Sequence, residues 1–138
     1  IYSIYIILMN ILLLDVYPDV DYRISKDQNG GYGTANNYGN TIFTKFLKFI
    51  VSKSIDFPPL YSVQVIGELK NNDHRVTYLK KIPKNLESFD FIIIASSIVC
   101  HETEVATIKK ITSLGKVVFA IGPFATSNPE NYIDSGAK

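Results

Sequence analysis

With 138 residues, the chain is long enough for one domain with its own apolar core and too short for two of ordinary size. Hydrophobic residues make up 46% and charged residues 20%, values of a globular domain and not of a disordered or membrane-embedded chain. A net charge of +1 gives no bulk attraction to nucleic acid or to an anionic membrane, and the one cysteine, Cys100, excludes an internal disulfide or a multi-cysteine metal site within the chain. An iron–sulfur cluster would need thiolates from elsewhere. The reducing cytoplasm is the expected compartment.

The opening run, residues 1–14, is almost wholly apolar. A membrane-crossing helix needs about 20 apolar residues, so the run is too short to span. It also lacks the basic flank and the small-residue cleavage site of a secretory signal. The stretch from Met9 to Asp15 reads instead as the start of a buried first strand. That leaves residues 1–8 as an extension ahead of a domain covering 9–138.

Residues 11–16 form a continuous aliphatic run, the pattern of a strand covered on both faces. Asp15, Tyr17 and Pro18 follow at its carboxyl end. A polar stretch rich in Gly, Asn, Asp and Tyr then runs over 19–40, a length that is functional or disordered when it occurs inside a domain. Residues 41–53 turn amphipathic, with Ile42, Phe43, Phe46, Leu47 and Ile50 on one side and Lys45, Lys48 and Lys53 elsewhere. Such a basic helix can lie on a membrane surface, but the expectation is that it covers the fold's own core.

Pro58 and Pro59 open a helix reaching residue 71, with Leu60, Val63, Ile66 and Leu69 as its apolar stripe and Gly67 allowing close approach to a sheet. A second strand spans 74–80 and a third, fully aliphatic, 91–95. A helix over 102–114 turns Val105, Ile108, Ile111 and Leu114 inward and stops at Gly115. The fourth strand covers 116–121, and Pro129 starts a last short helix. Strands alternating with helices predict an α/β domain: an open, mostly parallel sheet with helices on both faces. A fifth strand, expected next, is missing from the sequence.

Open α/β sheets bind ligands beyond the carboxyl ends of their strands, near the point where strand order reverses. Three such ends are small, polar or glycine-bearing. They contribute Asp15, Tyr17 and Pro18; Ser96, Ser97 and Ile98; and Gly122, Pro123, Phe124 and Thr126. These are the candidate cofactor-binding residues. Hydroxyls at Ser96, Ser97, Thr126 and Ser127 could hydrogen-bond a ligand, and Gly122 would let backbone approach it. Read singly, Ser96 and Ser97 do no more than cap the next helix, and Gly122 no more than turn the chain.

The segments Pro58-Pro59-Leu60, Gly67-Glu68-Leu69 and His74-Arg75-Val76 resemble the opening helix and second strand of the cobalamin-binding domain in B12-dependent radical S-adenosylmethionine (SAM) proteins. The third strand with Ser96-Ser97 is similar too. So is the stretch Ile121-Gly122-Pro123-Phe124-Ala125-Thr126-Ser127-Asn128-Pro129-Glu130, and Asp134-Ser135-Gly136-Ala137 resembles the lead-in to a last strand. The likeness covers residues 9–138; each motif is loose, and their order and spacing carry it.

The resemblance implies a Rossmann-like or flavodoxin-like sheet holding a corrinoid, with cobalt turned towards a radical SAM domain for methyl transfer or another radical reaction. The [4Fe–4S] cluster and S-adenosylmethionine would belong to that separate domain, so the chain would not be catalytic alone. Partners would be cobalamin and the catalytic domain, with no nucleic acid and no membrane. Many cobalamin domains carry Asp-x-His-x-x-Gly after the first strand. Here Asp15 is kept, Tyr17 takes the histidine place and Val20 the glycine place. Tyrosine, with a pKa near ~10, is a poor neutral cobalt ligand at pH 7. The resemblance therefore implies a corrinoid without a histidine below the metal. It equally permits a degenerate interaction or substrate-recognition domain whose own side chains fill the pocket. A free-standing flavodoxin-like or response-regulator-like protein is a third reading, against which stands the lack of an acidic cluster and a phosphate loop.

Gly30-Gly31-Tyr32-Gly33-Thr34 suggests a phosphate cradle but lacks the strand–turn–helix setting and the lysine such loops use. A loop that folds over the ligand or docks on the catalytic domain suits it better. His101-Glu102 fails as a zinc-protease motif, because the second histidine would fall at Val105. Cys100 and His101 read as helix-start residues, since a closed zinc site needs about four ligands.

Overall fold

A computed structural model describes residues 8–20, 22–36, 38–52 and 57–138. Residues 1–7 of the expected 1–8 extension and Lys53 lie outside the described residues. Strand β1 (Asn10–Leu14) is central. A hairpin follows, β2 (Arg23–Ser25) and β3 (Thr34–Asn36) around a 3-10 turn at Asn29–Gly31, and then helices α1 (Ile42–Ser52) and α2 (Leu60–Asn71). The remainder runs β4 (Arg75–Leu79), β5 (Phe91–Ala95), α3 (His101–Ser113), β6 (Val118–Ile121), α4 (Pro123–Ser127) and α5 (Pro129–Ile133).

The main sheet has the order β4-β1-β5-β6, and every neighbouring pair is parallel. The chain leaves β1 towards β4 on one side, then crosses to β5 on the other. The strand order therefore reverses between β1 and β5, and the crevice at their carboxyl ends is the switch point. This is the open α/β architecture that the alternation of elements predicts.

Side chains on β1 alternate between two cores. Leu12 and Leu14 join Ile92, Ile94, Ile108, Ile111, Val118 and Tyr132 under α3 and α5. Ile11 and Leu13 join Ile93 and Ala95 on the other face, where Tyr61, Val65, Ile66 and Leu69 of α2 pack. Alternate residues of a strand point to opposite faces, so only an unbroken aliphatic run can serve a sheet covered twice.

Several local expectations need correction. The inward stripe of α2 is Tyr61, Val65, Ile66 and Leu69, while Leu60 and Val63 face solvent. The phase of α2 is set at its start, where the Leu60 amide donates to Asp27 Oδ1 at 2.8 Å and the Tyr61 hydroxyl reaches the Ser96 carbonyl at 2.6 Å. Gly67 is exposed, and a side chain there would meet nothing within 4 Å. In α3 the buried set is Glu104, Thr107, Ile108 and Ile111, with Leu114 outside. Helix α4 follows β6 directly, an element not placed from sequence. Two further departures bear on function: the 19–40 stretch folds back as the β2–β3 hairpin, and α1 turns most of its apolar residues outward.

Candidate functional site

The alternation of β2 runs on just past its end. Ile24 and Lys26 point inward, while Asp27 points out to cap α2. Two three-residue strands are too little to be stable alone, so the hairpin depends on what anchors it. The anchor is Lys26, which is fully buried at the β1–β5 switch point.

Its ammonium donates to the Ala95 carbonyl, at the end of β5, at 2.8 Å. It pairs with Glu104 Oε1 at 2.8 Å and with Asp15 Oδ1 at 3.0 Å, all three side chains being inaccessible to water. Asp15 Oδ1 has no aligned hydrogen bond, so the ion pair is what stabilises it. Asp15 Oδ2 accepts from the hydroxyls of Tyr17, at 2.9 Å, and Tyr78, at 2.6 Å. Glu104 accepts from the Ser97 amide at 3.1 Å, the Ser97 hydroxyl at 3.2 Å and the Tyr132 hydroxyl at 2.6 Å. One cation thus faces two carboxylates whose residual charge is spread over five neutral donors.

The titration of the cluster follows from these contacts. Burial alone would favour the neutral amine of Lys26, but Glu104 and Asp15 outweigh it, and the lysine is held above its ordinary range. The hydroxyls of Tyr61 and Tyr132 are raised, first by burial and then by the nearby carboxylates, so both stay protonated donors. Burial pushes the Cys100 thiol up to about 11, with Lys26 partly opposing. Cys100 is therefore a thiol at neutral pH and a poor nucleophile or metal ligand.

The glycine segment closes the crevice from above. Gly31 and Gly33 have φ of +87° and +91°, and a Cβ on them would stand 2.7 Å from Pro123 Cγ and 2.6 Å from Val99 Cγ2. Only glycine lets the backbone lie so flat on the strand ends. The Ile98 amide donates to the Tyr32 carbonyl at 3.0 Å, tying this segment to the turn after β5.

The residues singled out from sequence do gather at the strand ends, but most of their polar groups are engaged within the chain. Asp15, Ser96 and Ser97 are completely buried. Ser96 Oγ accepts from the Ala125 amide at 3.0 Å, and its carbonyl takes the Tyr61 hydroxyl. A Cβ on Gly122 would stand 2.8 Å from Ser96 Oγ and 2.9 Å from the Tyr61 ring, and Pro123 beneath Gly31 begins α4. Phe124 is buried between His101 and Tyr132, with ring centroids 5.6 and 6.2 Å away. The Thr126 hydroxyl donates back to the Gly122 carbonyl. Tyr17 lies with its ring 5.0 Å from the Lys26 ammonium, turned to the ion cluster.

Pro18 and Ile98 border a groove of about 390 Å³ with Val20, Tyr22 and His101. A second groove of about 460 Å³ lies beside Tyr17, Pro18 and Lys80. Neither is lined by Asp15, Ser96, Ser97 or Gly122.

Lys26, Glu104, Tyr61 and Tyr132 were not assigned to the site from sequence. Glu104 did leave a signal, since it stands in phase with Thr107, Ile108 and Ile111, a carboxylate on the inward stripe of a helix. A buried acid of that kind calls for a cation.

Fold and site together define an open parallel α/β domain whose switch-point crevice is filled by its own ion cluster. Comparison of the chain with protein-family models, with curated proteins and with solved structures finds no match. Among the described residues no cluster of three or more His, Cys, Asp or Glu could hold a metal ion, and no helix is long and apolar enough to cross a membrane.

Proposed function

We propose that this chain is a recognition module of the cobalamin-domain type, part of a radical SAM enzyme, and that it works without a ligand in its crevice. The type rests on the resemblance at 58–69, 89–97 and 121–130, with which the parallel β4-β1-β5-β6 order agrees. The observation that carries the ligand-free reading is the Lys26 ammonium between Asp15, Glu104 and the Ala95 carbonyl. A corrinoid seated at the switch point would meet this cluster, and the serine hydroxyls that could hold its amide arms are already engaged. The residues present do not fit the corrinoid there, and no chemical step is assigned to one. In this reading S-adenosylmethionine and the iron–sulfur cluster act in a separate catalytic domain. The module contributes binding surface.

The corrinoid-carrying reading has one feature in its favour, the open groove at Pro18, Val20, Tyr22 and Ile98 beside the strand ends. It requires the 23–36 segment to leave the crevice. Mixing the protein with hydroxocobalamin and passing it through a gel-filtration column separates the two. The expected result is protein without visible colour and with unchanged hydrogen exchange at the Ile98 amide. Corrinoid that stays with the protein overturns the reading, and faster exchange at Ile98 would then assign it to the crevice.

A further inference from the structure

Helix α1 is turned the wrong way for a helix that covers a core. Thr41 starts it, its hydroxyl accepting from the Thr44 amide at 3.3 Å, the contact of an N-cap. From there Ile42, Phe46, Phe49 and Ile50 fall at i, i+4, i+7 and i+8, with Phe43 alongside, the spacing of a single apolar face. That face meets water: Ile42 is 90% exposed, Phe43 69%, Phe46 60%, Phe49 63% and Ile50 49%. The opposite side, which lies inward, carries Thr44 and the buried Lys48 beside half-buried Leu47 and Val51. Lys48 Nζ is 3.5 Å from Asn40 Oδ1 among its contacts. An outward stripe of this kind, with Ile42, Phe43 and Phe46 mostly exposed, marks an interaction surface.

The charges around it select the partner. Between Asn40 and Ile55 the sequence has no arginine and no acidic residue, and of its lysines Lys45 stands exposed beside the stripe while Lys48 is buried on the opposite side. Protein interfaces are depleted of lysine and favour arginine, whereas lysine beside phenylalanine and leucine on a short helix is the pattern of a helix lying in an anionic lipid surface. Exposed Lys45 borders the stripe, one helical turn from Ile42 and from Phe49. We infer that α1 is an interfacial helix: its Phe43–Phe46 face enters the acyl boundary of an anionic bilayer while Lys45 meets the headgroups. The inference does not rest on what fills the crevice.

Cosedimentation of the chain with vesicles tests it, using phosphatidylcholine alone and phosphatidylcholine with phosphatidylglycerol. The protein should pellet with the anionic vesicles and far less with the neutral ones. The double variant Phe43→Ser/Phe46→Ser should bind at least about tenfold more weakly, with an unchanged melting temperature because both rings are exposed. Lys45→Glu should weaken anionic binding by about fivefold or more. Failure of the unaltered chain to pellet with either vesicle, or equal pelleting of the double variant, overturns the proposal. So does a solution dimer that the double variant dissociates, which would make a second copy the occupant.

Discussion

Replacing Lys26 by methionine should cost the domain about 3–5 kcal/mol, the usual effect of removing one partner from a buried ion cluster. Methionine fills much of the same volume, so the loss reports charge and not a cavity. Asp15 and Glu104 would be left facing each other without the ammonium that pairs with both, at 3.0 and 2.8 Å. Urea unfolding by circular dichroism measures it, and a loss under about 1 kcal/mol would show that the carboxylates find other partners. Exchange at the Ile98 amide should quicken as well, because its acceptor, the Tyr32 carbonyl, belongs to the segment that Lys26 pins.

The same lysine gives the unaltered protein an alkaline limit. Its folded pKa lies above the ordinary value. The stability it contributes is complete below the unfolded lysine pKa of about 10.4 and is lost as pH rises through the higher folded value. Unfolding should therefore set in above about pH 10.5 and be absent from that range in Lys26→Met.

Glu104→Ala should be comparably severe, about 3–5 kcal/mol, for a different reason. Besides half of the charge on Lys26, it removes the acceptor of the Ser97 amide, the Ser97 hydroxyl and the Tyr132 hydroxyl. Each buried donor left without a partner costs about 1–3 kcal/mol, offset where water enters the cavity. Glu104→Gln keeps an acceptor for Tyr132 and should lose less. Combining Lys26→Met with Glu104→Ala should depart from additivity by about 0.5–3 kcal/mol, since both touch one network. Additive losses would mean that the pair does not act as a unit.

What could be read from the sequence follows from where periodicity is strong. Four aliphatic or alternating runs placed β1, β4, β5 and β6, and the helices between them required parallel order. The gathering of Asp15, Ser96, Ser97 and Gly122 at one edge followed from the same topology. The hairpin was not legible, because strands of three residues show no period and the glycines between them read as loose chain. The phase of α2 escaped for another reason. Leu60 and Tyr61 are equally plausible inward residues, and the choice was made by Asp27, 33 positions earlier in the chain. The orientation of α1 failed most plainly, since apolar spacing says which residues share a face and not what that face meets. Contents of the crevice were hidden because lysine is so rarely buried that nothing at Lys26 invites the assignment.

The inward turn of Lys26 and the outward turn of Asp27 make the length of β2 a matter of parity. Losing or gaining one residue within Arg23–Ser25 would rotate the pair, swinging an anion between Asp15 and Glu104 and sending the cation to the first amide of α2. Steps of two would restore the arrangement. The preceding stretch at 16–20, outside any strand, carries no such constraint, so variation in length among kindred chains would be confined to one side of Arg23.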